Sequence, residues 1–415
     1  MSQARSQRGL GLALAGGGPL GAIYEIGALV ALGDSLKGFD PTDCDIYVGV
    51  SSGGFICAAL ANGISARSMH SMFIESEQAD DPFEPGLLLR PALLEYVTRF
   101  ARLPDLLASA VHEYFTGGAP PGVFASLGRL ARALPAGVFD NGGVGHYLAR
   151  LLSAPGRSND FRRLAHKLFL VATDIDTGEP VAFGARGWDD VPIARAVQAS
   201  AALPGLFPPV EINGRFYVDG ALTKTLHASV GLREGARLML CVNPLVPFNA
   251  RLAARHGQHA PRTVFRGGLP SILSQSLRTL IYSRMRTGME RYGKEFPRAD
   301  VLLFQPAQDD VELFFTNIFS YADRRRLCEH AYQKTREDLR RRREELRAPL
   351  ARHGISIDEA ALADPRRTLL ARRRAGRGRK VPDLAATAAS LAAALDRLES
   401  LLPAFGRPVA GRGRP

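Results

Sequence analysis

The chain has 415 residues, 46% of them hydrophobic and 23% charged, which is the composition of an ordinary soluble globular protein. It is long for one domain, so we expect one large folded unit with appended elements. No stretch approaches about 18 uninterrupted apolar residues, which argues against a transmembrane helix.

The net charge of +12 is concentrated near the C-terminus. From residue 321 onward there are 23 Lys and Arg against 12 Asp and Glu, so the rest of the chain is nearly neutral. Such a segment can bind anionic lipid headgroups or nucleic acid, or it can be a solvated arginine-rich helix and linker. No aromatic interleaving or base-reading motif accompanies it, so nucleic-acid binding is not expected to be the main function.

Cysteine usage and the N-terminus indicate a cytoplasmic protein. The four cysteines have no metal-binding spacing, and three of them lie in or beside apolar runs as reduced core residues: Cys44, Cys57 and Cys241. The apolar run at residues 10–15 is too short for a signal peptide. We therefore predict no metal site and a cytoplasmic location, with attachment to a membrane surface as an option.

The first half of the chain alternates strands, glycine turns and helices. Residues 10–15 predict a buried strand, 16–18 a turn and 20–32 a helix; residues 47–50 predict a second strand, followed by a helix through Ala61. Repetition of this unit favours a parallel sheet with helices packed on its faces. The predicted later elements are strands at 167–173, 180–183, 215–218 and 237–242 and a helix at 192–200.

Three regions do not follow this alternation of strands, glycine turns and helices. Residues 76–145 carry helical apolar segments and a Gly/Pro-rich loop, which predicts an inserted cap or lid. Residues 246–365 predict a helical extension to a preceding domain at 9–245. Residues 366–415 predict a basic linker and an Ala/Leu helix. The extension contains helices at 267–292 and 327–346 and an extra strand at 301–305.

Residues 49–53, Gly-Val-Ser-Ser-Gly, match the G-x-S-x-G pattern of a nucleophile elbow. In that pattern the central serine sits on a sharp turn between a strand and a helix. The turn exposes its hydroxyl beside the positive end of the helix. Ser51 is therefore the candidate nucleophile. Ser52 is an alternative, but only Ser51 has glycine at both the −2 and +2 positions.

Residues 16–21, Gly-Gly-Gly-Pro-Leu-Gly, have the G-x-G-x-x-G spacing of a dinucleotide-binding turn. That function would require an acidic residue at the end of the second strand, where this chain has the serine elbow instead. The same glycine N–H groups, at the start of a helix, can hold a developing oxyanion. A nucleotide-dependent enzyme remains an alternative that predicts cofactor binding at this turn.

Asp219 directly follows the predicted strand at 215–218, at the sheet edge where α/β proteins present their sites. A serine hydroxyl needs a base, and burial raises the pKa of a carboxylate toward a useful range. Taken alone, an Asp-Gly pair more often caps a turn. A triad with His227, His256 or His259 is also available in the order Ser, Asp, His.

These three motifs, in this order, resemble the patatin-like phospholipase family. Residues 21–29, 172–178 and 199–209 are also similar to its landmarks, so the resemblance covers about residues 9–245. It implies a three-layer α/β/α sandwich that hydrolyses lipid esters through a Ser–Asp dyad with no metal or other cofactor. Carried over to this chain, it implies nucleophile Ser51, base Asp219, oxyanion donors Gly16, Gly17 and Gly18, and supporting residues Gly21, Gly49, Gly53, Gly220 and Ala221.

The chain departs from the family pattern at Leu20, where the family has Arg or Lys. If the basic residue polarises the oxyanion, activity is lower here; if it tunes substrate charge, Leu20 favours neutral esters. The function predicted from the sequence is therefore a serine acyl hydrolase acting on a lipid ester, with the basic tail in peripheral contact with an anionic membrane. The alternative is a catalytically weak scaffold that binds lipid or a protein partner.

Overall fold

The computed structural model describes residues 9–75, 137–258, 268–315 and 321–370. Most of the predicted cap lies outside the described residues. So do His259 and the segment from 371 onward, which contains most of the predicted basic linker and the predicted C-terminal helix. The elements below are numbered in chain order.

Ten strands have the following bounds: β1 Leu10–Leu14, β2 Leu36–Lys37, β3 Ile46–Val50, β4 Lys167–Asp174, β5 Pro180–Phe183, β6 Val210–Ile212, β7 Arg215–Asp219, β8 Leu238–Val242, β9 Asp300–Phe304 and β10 Ser356–Ile357. The α-helices are α1 Gly18–Ser35, α2 Ser52–Ala61, α3 Ala66–Met69, α4 Gly142–Leu152, α5 Ile193–Ser200, α6 Ala228–Arg233, α7 Ala250–Arg255, α8 Gly268–Glu295, α9 Val311–Phe315, α10 Tyr321–Arg341, α11 Arg343–Ala351 and α12 Glu359–Ala363. Short 3-10 turns follow β7 and precede β4.

The main sheet has eight strands in the order β6-β7-β4-β3-β1-β8-β9, with β5 paired to β4 outside this path. Strands β4, β3, β1, β8 and β9 are parallel, as the alternating sequence pattern predicts. Strands β5, β6 and β7 pair antiparallel, which the sequence interpretation missed. For β6 and β7 the reason is local: Asn213 and Gly214 both have positive φ angles and form a two-residue hairpin turn between these strands.

The sheet is buried on both faces, which explains why β1 and β3 are continuous apolar runs rather than alternating ones. One face packs against α1, α2, α4, α5 and α10. The other face packs against α6 and α8. The fold is therefore a three-layer α/β/α sandwich, as predicted.

Part of the predicted helical extension belongs to the same core. The strand expected near 301–305 is present as β9, next to β8. The α10 helix packs against α1, where its Leu327, Cys328 and Tyr332 are buried in the core on that face. Gly27 permits this approach, since a Cβ atom there would lie 3.0 Å from the Cβ of Ala331. The domain boundary near residue 246 stays a prediction.

Many arginines after residue 320 are engaged within the protein. Arg326 pairs with Glu312, Arg342 with Asp338, and Arg352 with Asp300. The guanidinium of Arg336 is buried and donates hydrogen bonds to the backbone carbonyls of Ala361 and Asp364. The basic segment is therefore not one continuous solvated face. In the part of the chain that the structure describes, no helix is long and apolar enough to span a membrane.

Candidate active site

Strand pairing brings the two glycine motifs together. Strands β1 and β3 are parallel neighbours with Leu14 opposite Gly49, so the segments that follow them leave the sheet at the same edge. The turn at 16–18 therefore lies beside Ser51. A Cβ atom at Gly16 would lie 2.9 Å from the Cβ of Ser51 and 3.5 Å from its hydroxyl oxygen.

Ser51 has the geometry of a nucleophile elbow. Its φ of 53° and ψ of −123° are strained for a residue with a side chain. It is the N-cap residue of α2, its side chain makes no capping hydrogen bond there, and the residue is buried, with 8% relative exposure. Gly53 lets α2 begin directly against β1, because a Cβ atom there would lie 2.5 Å from the carbonyl oxygen of Ala15.

The glycine turn supplies backbone N–H groups near Ser51. Gly16 is buried, Gly17 is the N-cap of α1, and Gly18 is exposed with a φ of 59°. The first N–H groups of a helix have no acceptor within the helix, and the helix dipole favours negative charge at that end. The turn has the features of an oxyanion-binding site.

Asp219 reaches the site along an antiparallel strand. Strand β4 lies between β3 and β7; its Val171 is opposite Val50, and its Ala172 is opposite Asp219. Ser51, the residue after Val50, and Asp219 therefore leave the sheet at nearly the same level, on the two sides of β4. Asp219 ends β7, as the sequence predicts, but β7 runs antiparallel to β4, so its carboxyl end points toward the opposite edge of the sheet from those of β1 and β3.

The carboxyl group of Asp219 is buried, and this burial raises its pKa to about 6. Two hydrogen-bond donors act in the other direction and lower the pKa: the backbone N–H of Ala221, at 2.9 Å, and the hydroxyl of Ser51. The carboxylate is thus next to the candidate nucleophile and is mostly ionised at neutral pH.

The other motif residues maintain close packing around the two candidate catalytic residues. Gly49 faces Gly54, since a Cβ atom at Gly49 would lie 2.5 Å from the Cα of Gly54. Gly21 packs against Pro244, and Gly220 packs against the backbone carbonyl of Val171. These contacts explain the small residues of the motifs.

The three alternative residues that the structure describes differ in their surroundings. The hydroxyl of Ser52 is buried, with no hydrogen-bond partner among the described residues. His227 is buried, and its Nε2 contacts the carbonyl of Gly220 and the hydroxyl of Thr223, at 3.2 and 3.3 Å. Burial lowers the pKa of His227 to about 4. His256 pairs with Asp309, at 2.5 Å.

Comparison with protein families identifies the family to which this chain is related. The patatin-like phospholipase family matches residues 12–230, more than half of the sequence. The chain belongs to the patatin-like phospholipase family. The matched region contains both Ser51 and Asp219.

Several solved structures are similar to this patatin-like chain. VipD from Legionella pneumophila is 15% identical with a TM-score of 0.36; the match covers 79% of this chain and 66% of VipD. The type III effector ExoU is 17% identical with a TM-score of 0.34, covering 80% of this chain and 53% of ExoU. Human GIVD cytosolic phospholipase A2 is 16% identical with a TM-score of 0.22, and the match covers 61% of this chain and 44% of the phospholipase. This chain thus spans less than two thirds of each of them.

The patatin-like chain has Leu20 where the resemblance leads one to expect a basic residue. Leu20 is partly buried and packs against the core on the α1 face of the sheet. It therefore contributes apolar contact at the first turn of α1 and no positive charge beside the glycine turn.

Sequence interpretation gave no role to two residues that contact the site. Thr173 donates a hydrogen bond to the backbone carbonyl of Asp219, at 3.2 Å. The hydroxyl of Ser200 accepts a hydrogen bond from the backbone N–H of Ser51, at 2.8 Å. Ser200 lies within the family landmark at 199–209, which was the signal available in the sequence. In the described ranges, no group of three or more His, Cys, Asp or Glu side chains is placed to hold a metal ion.

The close contact of Gly16 with Ser51 yields a prediction. Gly16→Ala would place a methyl group 2.9 Å from the Cβ of Ser51, so the turn or the serine must move. We expect labelling of the protein by a fluorophosphonate probe to slow by about 100-fold to 1,000-fold, the range typical of the loss of one oxyanion donor. Gly293→Ala on α8, where a Cβ atom meets open space, is the control and should label at the wild-type rate. Equal rates for all three proteins would contradict this account of the turn.

Proposed function

We propose that this protein is a serine acyl hydrolase that cleaves lipid carboxylic esters through Ser51 and Asp219. The observation that carries the proposal is the hydroxyl of Ser51, held on a strained turn against the buried carboxylate of Asp219. Membership of a phospholipase family and the glycine turn against Ser51 support it. The proposed substrate is a lipid ester.

In the first half-reaction, the carboxylate of Asp219 takes the proton of the Ser51 hydroxyl as the oxygen attacks the ester carbonyl carbon. The resulting oxyanion is held by backbone N–H groups of residues 16–18. When the tetrahedral intermediate collapses, the leaving alcohol oxygen takes the proton from Asp219. The fatty acyl group then remains on Ser51 as an ester.

In the second half-reaction, Asp219 takes a proton from water, and the hydroxide attacks the acyl-enzyme carbonyl. Collapse of this intermediate returns the proton to the oxygen of Ser51 and releases the fatty acid. A pKa of about 6 suits this exchange, because a base is most effective when its pKa is near the working pH. No metal is needed for any of these steps.

The proposal includes peripheral contact with a membrane through residues 371–380. This stretch contains six basic residues and no acidic one: Arg372, Arg373, Arg374, Arg377, Arg379 and Lys380. A basic segment gains about 1 kcal/mol per cation at an anionic membrane surface. Truncation near residue 320 would be a poor test of this contact, because α10 contributes buried side chains to the core.

The dyad predicts a pattern of activity among three variants. Hydrolysis of a p-nitrophenyl ester by Ser51→Ala and Asp219→Asn should fall by about 1,000-fold or more in kcat/KM. His227→Asn should retain activity within a few-fold, because asparagine tolerates the left-handed backbone at this position and the Nε2 of His227 contacts the carbonyl of Gly220 and the hydroxyl of Thr223. Activity that survives Ser51→Ala would exclude the mechanism, and loss in His227→Asn would favour a triad. A wild type inactive on every ester would favour the lipid-binding scaffold.

The raised pKa of Asp219 predicts the pH profile. The base must be ionised, so kcat/KM should be constant above about pH 7 and fall tenfold per pH unit below about pH 6. A base at His227, whose pKa is lowered to about 4, would instead retain activity down to about that pH. Rates measured from pH 4.5 to 8, with circular dichroism to verify folding at each pH, distinguish the two residues.

The basic segment predicts binding to anionic vesicles. Replacement of its six cations by glutamine in the full chain should weaken binding to phosphatidylglycerol vesicles at least tenfold, with no effect on phosphatidylcholine vesicles. Replacement of three exposed cations on or near α8, Arg286, Lys294 and Arg298, is the control. Flotation of both variants on a sucrose gradient measures the effect, and unchanged binding by the first variant would exclude the contact.

A further inference from the structure

The turn that ends α5 holds the backbones of both candidate catalytic residues. The hydroxyl of Ser200 accepts a hydrogen bond from the N–H of Ser51, at 2.8 Å, and donates one to the carbonyl of Val171, at 2.6 Å. Two residues later, the carbonyl of Ala202 accepts a hydrogen bond from the N–H of Asp219, at 3.0 Å. One short segment thus links the nucleophile, the base and the strand between them.

The side chain of Ser200 is fully buried, so water does not replace these bonds. The N–H of Ser51 and the carbonyl of Val171 are both backbone groups next to the end of the β3–β4 ladder. A hydroxyl can satisfy both at once, because it carries one donor hydrogen and two acceptor lone pairs. Without it, a buried donor and a buried acceptor would lose their partner.

We propose that Ser200 is a positioning residue that holds Ser51 in its strained backbone conformation and, with Ala202, fixes the separation between Ser51 and Asp219. The proposal rests on the hydrolase function proposed above. It concerns the alignment of the two groups and assigns no contact between Ser200 and the substrate.

The strain at Ser51 makes such a restraint necessary. A non-glycine residue with these backbone angles lowers its free energy by relaxing to an ordinary conformation. The N–H group of Ser51 would rotate during that relaxation, and the bond to Ser200 opposes the rotation. A displacement of about 1 Å at a reacting atom can lower a rate by about 100-fold, so a small relaxation is sufficient to affect catalysis.

A second effect concerns Asp219. The hydroxyl of Ser51 lowers the pKa of this carboxyl group, in opposition to burial. If Ser51 moves away, that contribution is lost and the group becomes harder to ionise. A variant that lacks the Ser200 hydroxyl should therefore lose kcat without a comparable change in KM.

The test compares three full-length variants. Ser200→Ala removes the hydroxyl, and Ser200→Thr keeps it. The control Ser35→Ala removes an equally buried hydroxyl that has no hydrogen-bond partner among the described residues. For each protein we would measure kcat and KM on a p-nitrophenyl ester, the thermal midpoint, and deuterium exchange of a peptide covering residues 46–56.

We expect Ser200→Ala to lower kcat by about 10-fold to 100-fold with KM changed less than threefold, and to exchange faster in the 46–56 peptide. Ser200→Thr should recover a large part of kcat, and Ser35→Ala should match the wild type in both measurements. A purely structural role predicts a lower thermal midpoint with unchanged kcat.

The positioning role is wrong if Ser200→Ala keeps both the wild-type kcat and the wild-type exchange rate of the 46–56 peptide. It is also wrong if Ser200→Ala and Ser200→Thr lose kcat equally while their thermal midpoints are equal. If the wild type hydrolyses no ester, the proposed function fails instead. The exchange measurement still tests the restraint on Ser51 in that case, because it requires no activity.

Discussion

The pairing of β4 with β3 on one side and β7 on the other is the constraint on which the candidate site depends. It places Val50 opposite Val171 and Asp219 opposite Ala172, so Ser51, the residue after Val50, and Asp219 lie at nearly the same level on the two sides of β4. A slip of one residue in either pairing would turn Asp219 or Ser51 to the opposite face of the sheet. The burial of both sheet faces opposes such a slip, since each strand would then have to repack on two sides.

Local sequence patterns were sufficient for the parts of the site that a single strand-to-helix turn creates. Ser51 and residues 16–18 each follow a buried strand, and parallel neighbours bring their ends to one edge. The Asn213-Gly214 turn that joins β6 and β7 is also a local signal, but the pairing of β7 with β4 is not, because it places Asp219 opposite the sequence-distant Ala172. Ser200 was missed for a related reason: its hydrogen bonds join residues 149 and 29 positions away.

The same distinction applies to the C-terminal charge. A count of basic residues after position 320 predicts a basic segment, yet it does not show which cations face solvent. Pairing with Glu312, Asp338 and Asp300 is a tertiary property, and so is the burial of Arg336. Up to residue 370, the charge of the predicted basic segment is therefore partly neutralised by tertiary contacts.

Two buried carboxyl groups show how hydrogen bonds select a base. Burial raises the pKa of Glu25 well above its usual value, and neither of its oxygens has a hydrogen-bond partner in the described part of the chain. Asp219 is buried to a similar degree, but two donors limit the rise of its pKa to about 6.

The raised pKa of Asp219 also makes the stability of the fold depend on pH. Because the pKa is higher in the folded state than in the unfolded chain, the contribution of this group to the free energy of unfolding is greatest below about pH 4, and about 3 kcal/mol of it is lost as the pH rises through 6. The fold thus tolerates an ionised Asp219 at neutral pH, and the packing that fixes Ser51 and Asp219 must supply the free energy that this ionisation removes.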